Sequence, residues 1–231
     1  MNKHDIVYIL KNNIESEELR YSLRSVEKNF PYNNIVFAGG MPDGIVPDIA
    51  LPMEQIGASK WERVRNTLIE ICKNDVITED FWLFNDDFFI MQKLTKLEPM
   101  IAGSIKHRID SIEKKYNRRT KYSRQLRETL ITLKNEGLDT LDYAVHMPMQ
   151  INRAKALETL EAFPSCPMFR SLYGNQHSIG GVITKDVKIL LIDEEPPKDA
   201  VMLSTCDETF RDGIAGEYIR NKFKTPSHYE Q

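Results

Sequence analysis

Two adjacent aspartates, Asp86 and Asp87, lie between apolar runs in FWLFNDDFFI, residues 81–90. Neighbouring carboxylates repel each other, and they lose water at a sheet edge unless a cation or hydrogen-bond donors meet them. A hard divalent cation, Mg²⁺ or Mn²⁺, suits the position. It takes few carboxylates and fills its shell with substrate phosphate oxygens. Paired aspartates also begin turns, and the residues alone leave that reading open. His146 precedes Met147-Pro148. Proline disfavours helix in the residue before it, so His146 is expected in an extended segment. An unperturbed pKa of about 6.5 suits it to proton transfer near neutrality, though a lone histidine is more often structural or exposed. Arg170 follows in FRSLYGNQHSIGG, with Asn175 and His177 close behind. Lys60, Arg63 and Arg65 fall in the first turns of a helix opened by Ser59-Lys60-Trp61-Glu62, a capping box. Cations there oppose the helix dipole, and a bound anion would relieve the conflict; ordinary solvation is the alternative. Arg20 and Arg24 are one turn apart on another helix, a spacing that by itself favours a solvated basic face.

These side chains need a frame. DIVYIL, residues 5–10, reads as a strand apolar on both faces, as in the middle of a parallel sheet. Ser16 offers an N-cap, and Leu19, Leu23, Val26 and Phe30 follow at helical spacing. Residues 34–40 form a second strand running into a glycine turn, which implies a crossover and a parallel pair. Residues 39–59 are rich in Gly, Pro and Asp and read as a long loop. Trp61, Val64, Leu68 and Ile71 mark a buried helix face, and residues 81–85 a third strand. Asp86 and Asp87 then stand where the chain leaves the sheet. In open α/β sheets that edge is where ligands bind.

The middle of the chain is helical. Residues 104–116 and 120–134 form an amphipathic pair, read as an insertion at about 98–137 in a single domain spanning 1–231. The connection KKYNRRTKYSR carries Lys114, Lys115, Arg118, Arg119, Lys121 and Arg124. Such a cluster is the footprint of a phosphate-rich acceptor or of nucleic acid, or a solvated junction between helices. After His146 comes a helix carrying Ile151, Ala154, Leu157 and Leu160. Residues 178–184 and 200–204 read as strands. Asp207 is expected to cap a final helix carrying Phe210, Ile214, Tyr218 and Phe223.

With 231 residues, 41% hydrophobic and 28% charged, the composition is that of an ordinary globular protein. The net charge of −3 argues against general affinity for nucleic acid. No apolar stretch reaches the length of a membrane span or of a signal peptide's core. Cys72, Cys166 and Cys206 are odd in number and widely spaced, which fits a reducing cytoplasm and neither a disulfide framework nor a zinc site.

Four segments, EELRYSLRSVEKNFPYNNIVFAGGMP, FWLFNDDFFI, YAVHMPMQINR and STCDETFRDGIAGEYIRNKFKTPSHYE, follow one another in the order of the four regions of the Stealth family, which the chain resembles over nearly its whole length. That family comprises sugar-1-phosphate transferases of capsule synthesis and the lysosomal-enzyme GlcNAc-1-phosphotransferase. The resemblance implies an α/β fold of the glycosyltransferase-A type, Rossmann-like, with a mostly parallel central sheet flanked by helices. It also implies a UDP-sugar donor, a glycan or other hydroxyl acceptor, and Mg²⁺ or Mn²⁺ on Asp86 and Asp87. It maps Arg24 onto the family's first helix, His146 onto its HMP histidine and Arg170 onto the arginine that follows. Asp207 falls where the family has an Asn-Asp pair, with Cys206 in place of the Asn. The first segment reads DIVYILKN where the family has a Tyr-Thr-Trp-Val form.

The mechanism expected is phosphoryl transfer. An acceptor hydroxyl attacks the sugar-proximal phosphorus and UMP leaves, with Asp86, Asp87, His146 and Arg170 as catalytic residues. Arg20, Arg24, Lys60, Asn85, Asn175 and Asp207 are the expected substrate contacts. The alternative keeps the fold and the metal but breaks the bond at the anomeric carbon, releasing UDP. A third reading, a non-catalytic module binding an anionic polymer through residues 114–124, predicts strongly salt-dependent binding.

Overall fold

The computed structural model describes residues 3–12 and 17–231. Ser16, the expected N-cap, lies outside them. The elements are β1 (Asp5–Leu10), α1 (Glu17–Asn29), β2 (Ile35–Gly39), β3 (Ile49–Pro52), α2 (Lys60–Lys73), β4 (Asp80–Phe84), β5 (Phe88–Ile90), β6 (Met100–Ile101), α3 (Ile105–Tyr116), α4 (Lys121–Asn135), β7 (Met149–Asn152), α5 (Arg153–Ala162), α6 (Phe169–Gln176), β8 (Val182–Ile183), β9 (Met202–Ser204), α7 (Asp207–Arg211) and α8 (Ile214–Lys222).

The central sheet has the order β3-β2-β1-β4-β7. Its first four strands are parallel and β7 runs antiparallel to β4. The fold is therefore mixed α/β with a mostly parallel sheet, as the apolar strands imply. Alternation along β1 divides the core. Ile6, Tyr8 and Leu10 pack with Leu19, Leu23 and Val26 of α1 on one face. Val7 packs with Leu68 and Ile71 of α2 and with Ala156 and Leu160 of α5 on the other. Helices thus cover both faces. The strand order turns back between β1 and β4, so their C-terminal ends frame a topological switch point. Asn85, Asp86 and Asp87 leave β4 there, in a turn closed by Phe88 N–H donating to Asn85 O at 3.3 Å.

Helix α1 also fixes the strand after that turn. Ser22 Oγ donates to Phe88 O at 2.6 Å, Ile90 N donates to Ser25 Oγ at 3.0 Å, and Asn29 Nδ2 donates to Ile90 O at 2.6 Å. Ser22, Ser25 and Asn29 lie at helical spacing on one face of α1, so the polar row of YSLRSVEKN docks β5. Strand β5 then pairs with β9, which brings the distant segment around residue 204 to Asp87.

Four expectations are corrected. The long loop over 39–59 contains β3, a four-residue edge strand whose Pro52 needs no ladder partner. Ile151 belongs to β7, not to the helix, which starts at Arg153 behind an Asn152 cap. Of residues 178–184 only Val182 and Ile183 are strand. The final helix is two, α7 and α8, with Cys206 as the N-cap position and Asp207 as the first helical residue. Gly216 lets α8 lie against α7, because a Cβ there would stand 1.7 Å from Phe210 O.

Helices α3 and α4 begin at Ser104 and Thr120 caps. Their apolar sides, Ile105, Ile109, Leu126 and Leu133, pack with Leu172 of α6. Among the described residues no helix is long and apolar enough to cross a membrane. All three cysteines are free.

Candidate functional site

A cleft of about 1050 Å³ opens over the switch point. Asn85, Asp86, Asp87, His146, Arg170, Lys60 and Asp207 all line it, so seven of the ten expected site residues come together from five separate parts of the chain.

Three do not line it. Arg24 is held by Glu230, with Nε donating to Oε1 at 2.7 Å and Nη2 to Oε2 at 2.6 Å, while Nη1 donates to Phe223 O at 3.0 Å. Arg20 donates to the carbonyls of Asp43 and Gly44 and stands 3.7 Å from the same Glu230. The two arginines therefore clasp the C-terminal segment to α1. Asn175 is buried, and its amide bridges Leu141 and Ser171 O, fixing α6 to the segment before His146. With their polar atoms occupied in this way, none of the three is placed to contact a ligand in the cleft.

His146 does not stand alone. Its Nδ1 lies 2.8 Å from Asp186 Oδ1 and 3.0 Å from Oδ2, and its backbone N–H donates to the same carboxylate at 3.3 Å. Arg108 of α3 donates to Asp186 Oδ2 at 3.1 Å and to Ala144 O at 3.0 Å, and pairs with Asp142 at 3.2 Å. Burial alone would raise the Asp186 carboxyl. The His146 hydrogen bonds and the Arg108 guanidinium outweigh it and hold the group at about 2. Asp186 thus stays a carboxylate, and with Nδ1–H donated to it the imidazole presents Nε2 as an acceptor. The helical pair is part of this arrangement, through Arg108 of α3 and through Gln125 of α4, which lines the cleft.

Arg170, in the first turn of α6, donates to Met147 O at 2.5 Å and reaches Leu83 O and Asn85 Oδ1 at 3.4 Å. Its guanidinium stands 5.6 Å from the Phe88 ring. Burial lowers it to about 10, with Asp87 opposing, so it is charged at neutral pH. It ties the HMP segment to the end of β4.

Asp87 is 8% exposed. Its Oδ2 accepts from Lys188 Nζ at 2.7 Å and Ser204 Oγ at 3.0 Å, whereas its Oδ1 is buried without a hydrogen-bond partner. Asp86 is half-buried beside it. Among the described residues no three His, Cys, Asp or Glu side chains are grouped to hold a metal by themselves. Two carboxylates, one with an unpartnered oxygen, fit Mg²⁺ or Mn²⁺, which commonly take one or two carboxylates and leave the rest of the shell to water and phosphate.

Glu18, in the first turn of α1, completes the acidic side. It accepts from Thr205 Oγ1 at 2.6 Å. Burial, with Asp87, Asp86 and Asp207 adding repulsion, pushes it up to about 7 against that hydrogen bond. Lys60, Arg63, Arg65, Arg170 and Lys188 offset these charges around the cleft, although Arg63 and Arg65 also donate to the carbonyls of Gly57 and Leu160. The basic residues between Lys114 and Arg124 are exposed on the α3–α4 turn and do not line the cleft. Asp186, Lys188 and Glu18 had no sequence signal. Asp186 and Lys188 act across 40 and 101 residues of chain, and KDVK reads as an ordinary charged loop.

No family model matches the chain, and no curated protein matches it. Among solved structures it is similar to mouse xyloside xylosyltransferase 1 in its apo form, with a TM-score of 0.37 and 8% identity over all of this chain and 96% of that one. A likeness of that degree does not bear on activity.

Proposed function

We propose that the protein is a nucleotide-sugar-dependent transferase of the glycosyltransferase-A type, moving a sugar-1-phosphate from a UDP-sugar to a hydroxyl of a glycan or related acceptor. The observation that carries the reading is the His146–Asp186 hydrogen bond within the cleft that also holds Asp86, Asp87 and Arg170. A histidine oriented by a carboxylate, beside a cation-binding pair and an arginine, is the equipment of a hydroxyl nucleophile attacking an anionic centre. The donor's identity comes from the Stealth resemblance.

His146 Nε2 takes the acceptor's proton as the new O–P bond forms and the phosphoanhydride bond to UMP breaks. Asp186 steadies the imidazolium that results. Arg170, fixed through Met147 O, offers positive charge to the phosphoryl oxygens. Asp86 and Asp87 would hold Mg²⁺ or Mn²⁺, which when bound would neutralise the diphosphate. Lys60 and Asn85 contact the donor from α2 and from the end of β4.

The test is chromatography of the nucleotides released from a panel of UDP-sugars with a hydroxyl acceptor. UMP is expected. UDP as the sole enzyme-dependent product would instead assign transfer of the sugar itself. His146→Ala is expected to slow turnover by roughly 10²–10⁴-fold with donor affinity little changed. Near-wild-type turnover would return the histidine to a structural role.

A further inference from the structure

Lys188 is the one cation in direct contact with Asp87 among the described residues. Its backbone is pinned. Lys188 N–H donates to Asp186 Oδ1 at 3.3 Å, Ile189 N donates to Ser204 O at 2.8 Å, and Ser204 N donates to Val187 O at 3.2 Å. The side chain is not pinned in the same way. It lines the cleft, and its ammonium sits on a flexible four-carbon stem.

The carboxylate it meets is half satisfied. A buried carboxylate needs its charge balanced and its lone pairs occupied. Lys188 and Ser204 do this for Oδ2 alone, leaving Oδ1 buried and unpartnered in a side chain that is itself only 12% exposed. A divalent cation arriving at Asp87 would meet an ammonium already 2.7 Å from the carboxylate. Two cations on one carboxylate repel, and of the two the ammonium, on its flexible stem, is the one that can swing away.

We propose that Lys188 is the resident counter-cation of Asp87, that a divalent cation engages Asp87 by displacing the Lys188 ammonium, and that the displaced ammonium then faces the cleft as a phosphate-binding group. The inference rests on the reading of Asp86 and Asp87 as the cation-binding pair. It makes metal and substrate phosphate mutually supportive, since each gives Lys188 or Asp87 the partner that the other removes, and such coupling is reciprocal.

Calorimetric titration of the whole chain with Mn²⁺ alone tests the displacement. Lys188→Met, which removes the competing charge, is expected to bind Mn²⁺ about tenfold more tightly than wild type, a modest share of the interaction between charges at this distance. Lys188→Arg, which keeps the charge, should bind no more tightly than wild type. At saturating Mg²⁺, Lys188→Met should bind inorganic phosphate about tenfold more weakly, as befits loss of a charge-assisted donor. Equal or weaker Mn²⁺ binding by Lys188→Met would overturn the proposal while leaving the metal pair in place. No Mn²⁺ binding by any variant would overturn the metal pair, and the proposal with it. Should Lys188→Met fail to fold, the ¹⁵N signal of the wild-type Lys188 ammonium is followed as Mg²⁺ is added. A shift on binding supports displacement, and an unmoved signal at saturation overturns it.

Discussion

Two buried aspartates stand at opposite edges of the same sheet. Asp5 opens β1 at the N-terminal edge and is fully buried. Its Oδ1 accepts from Asn33 Nδ2, Asn34 N and Asn34 Nδ2, and its Oδ2 from Thr78 N, at 2.8–3.2 Å. All four donors are uncharged, and both oxygens are occupied. Asp87, at the C-terminal edge, has a cation and a hydroxyl on one oxygen and nothing on the other. Identical carboxylates are thus treated in two ways. The lower edge closes around its charge with amides and joins β1 to the turns before β2 and β4. The upper edge leaves a charge unfinished beside a cleft, where a ligand can complete it.

The largest effect expected is at the lower edge. Asp5→Ala leaves buried donors from three residues unpaired, at a cost of about 3 kcal/mol of stability, read as a lower urea midpoint. Mn²⁺ affinity of the folded protein should be unchanged. A loss below about 1 kcal/mol would mean that water can take over the bonding and that the lower edge is less closed than its geometry indicates.

The sequence exposes these two edges unequally. Strand β1 was legible from DIVYIL, the start of α2 from the Ser59 capping box, and α3 and α4 from their apolar spacing, because those signals lie within a few residues. Asp86 and Asp87 were legible because two apolar strands flank them. Strand β3 was hidden by the glycines and prolines of an edge segment, and β7 by an apolar pattern that suits a helix or a short strand equally well. Arg20 and Arg24 look free on a helix face until the C-terminal segment folds back with Glu230, some two hundred residues away. The same nonlocality hid Asp186 and Lys188. These lie two residues apart on an extended stretch that meets His146 with one side chain and Asp87 with the other. A charge pattern in a loop names neither partner.

A smaller effect distinguishes positioning from bulk charge at the upper edge. Asp186→Asn keeps the shape but can donate toward His146 Nδ1, which favours the tautomer with Nε2 protonated. Turnover is expected to fall about 10–10²-fold with donor affinity retained, below the loss for His146 itself. Its acid limb should change too. A carboxyl held at about 2 contributes stability that is present above its ordinary value of 3.8 and is lost as pH falls toward 2. The variant lacks that contribution, so its stability should fall less steeply across that window in urea titrations. Unchanged turnover with unchanged Nε2 titration by NMR would leave Asp186 a merely structural partner of Arg108.

Glu18→Gln gives the smallest and most specific contrast. Asp5 is buried with its charge fully met, whereas Glu18 is buried facing Asp86, Asp87 and Asp207, with the Thr205 hydroxyl donating to it. Its folded value of about 7 exceeds the ordinary 4.5. Between those values the unfolded chain has released the proton that the folded chain still holds, so rising pH favours unfolding. Below about 4.5 both states hold the proton and nothing is lost. Above about 7 both have released it, and the full penalty remains. Gln keeps an oxygen for the Thr205 hydroxyl and removes the titration. Without divalent cations, Glu18→Gln should match wild type at pH 4 and exceed it by about 1–3 kcal/mol at pH 8. Urea midpoints at the two pH values measure the difference. An equal offset at both would show that packing, not charge, sets the effect. If saturating Mg²⁺ narrows the pH 8 gap, then a cation has relieved the repulsion that Asp86 and Asp87 exert on Glu18.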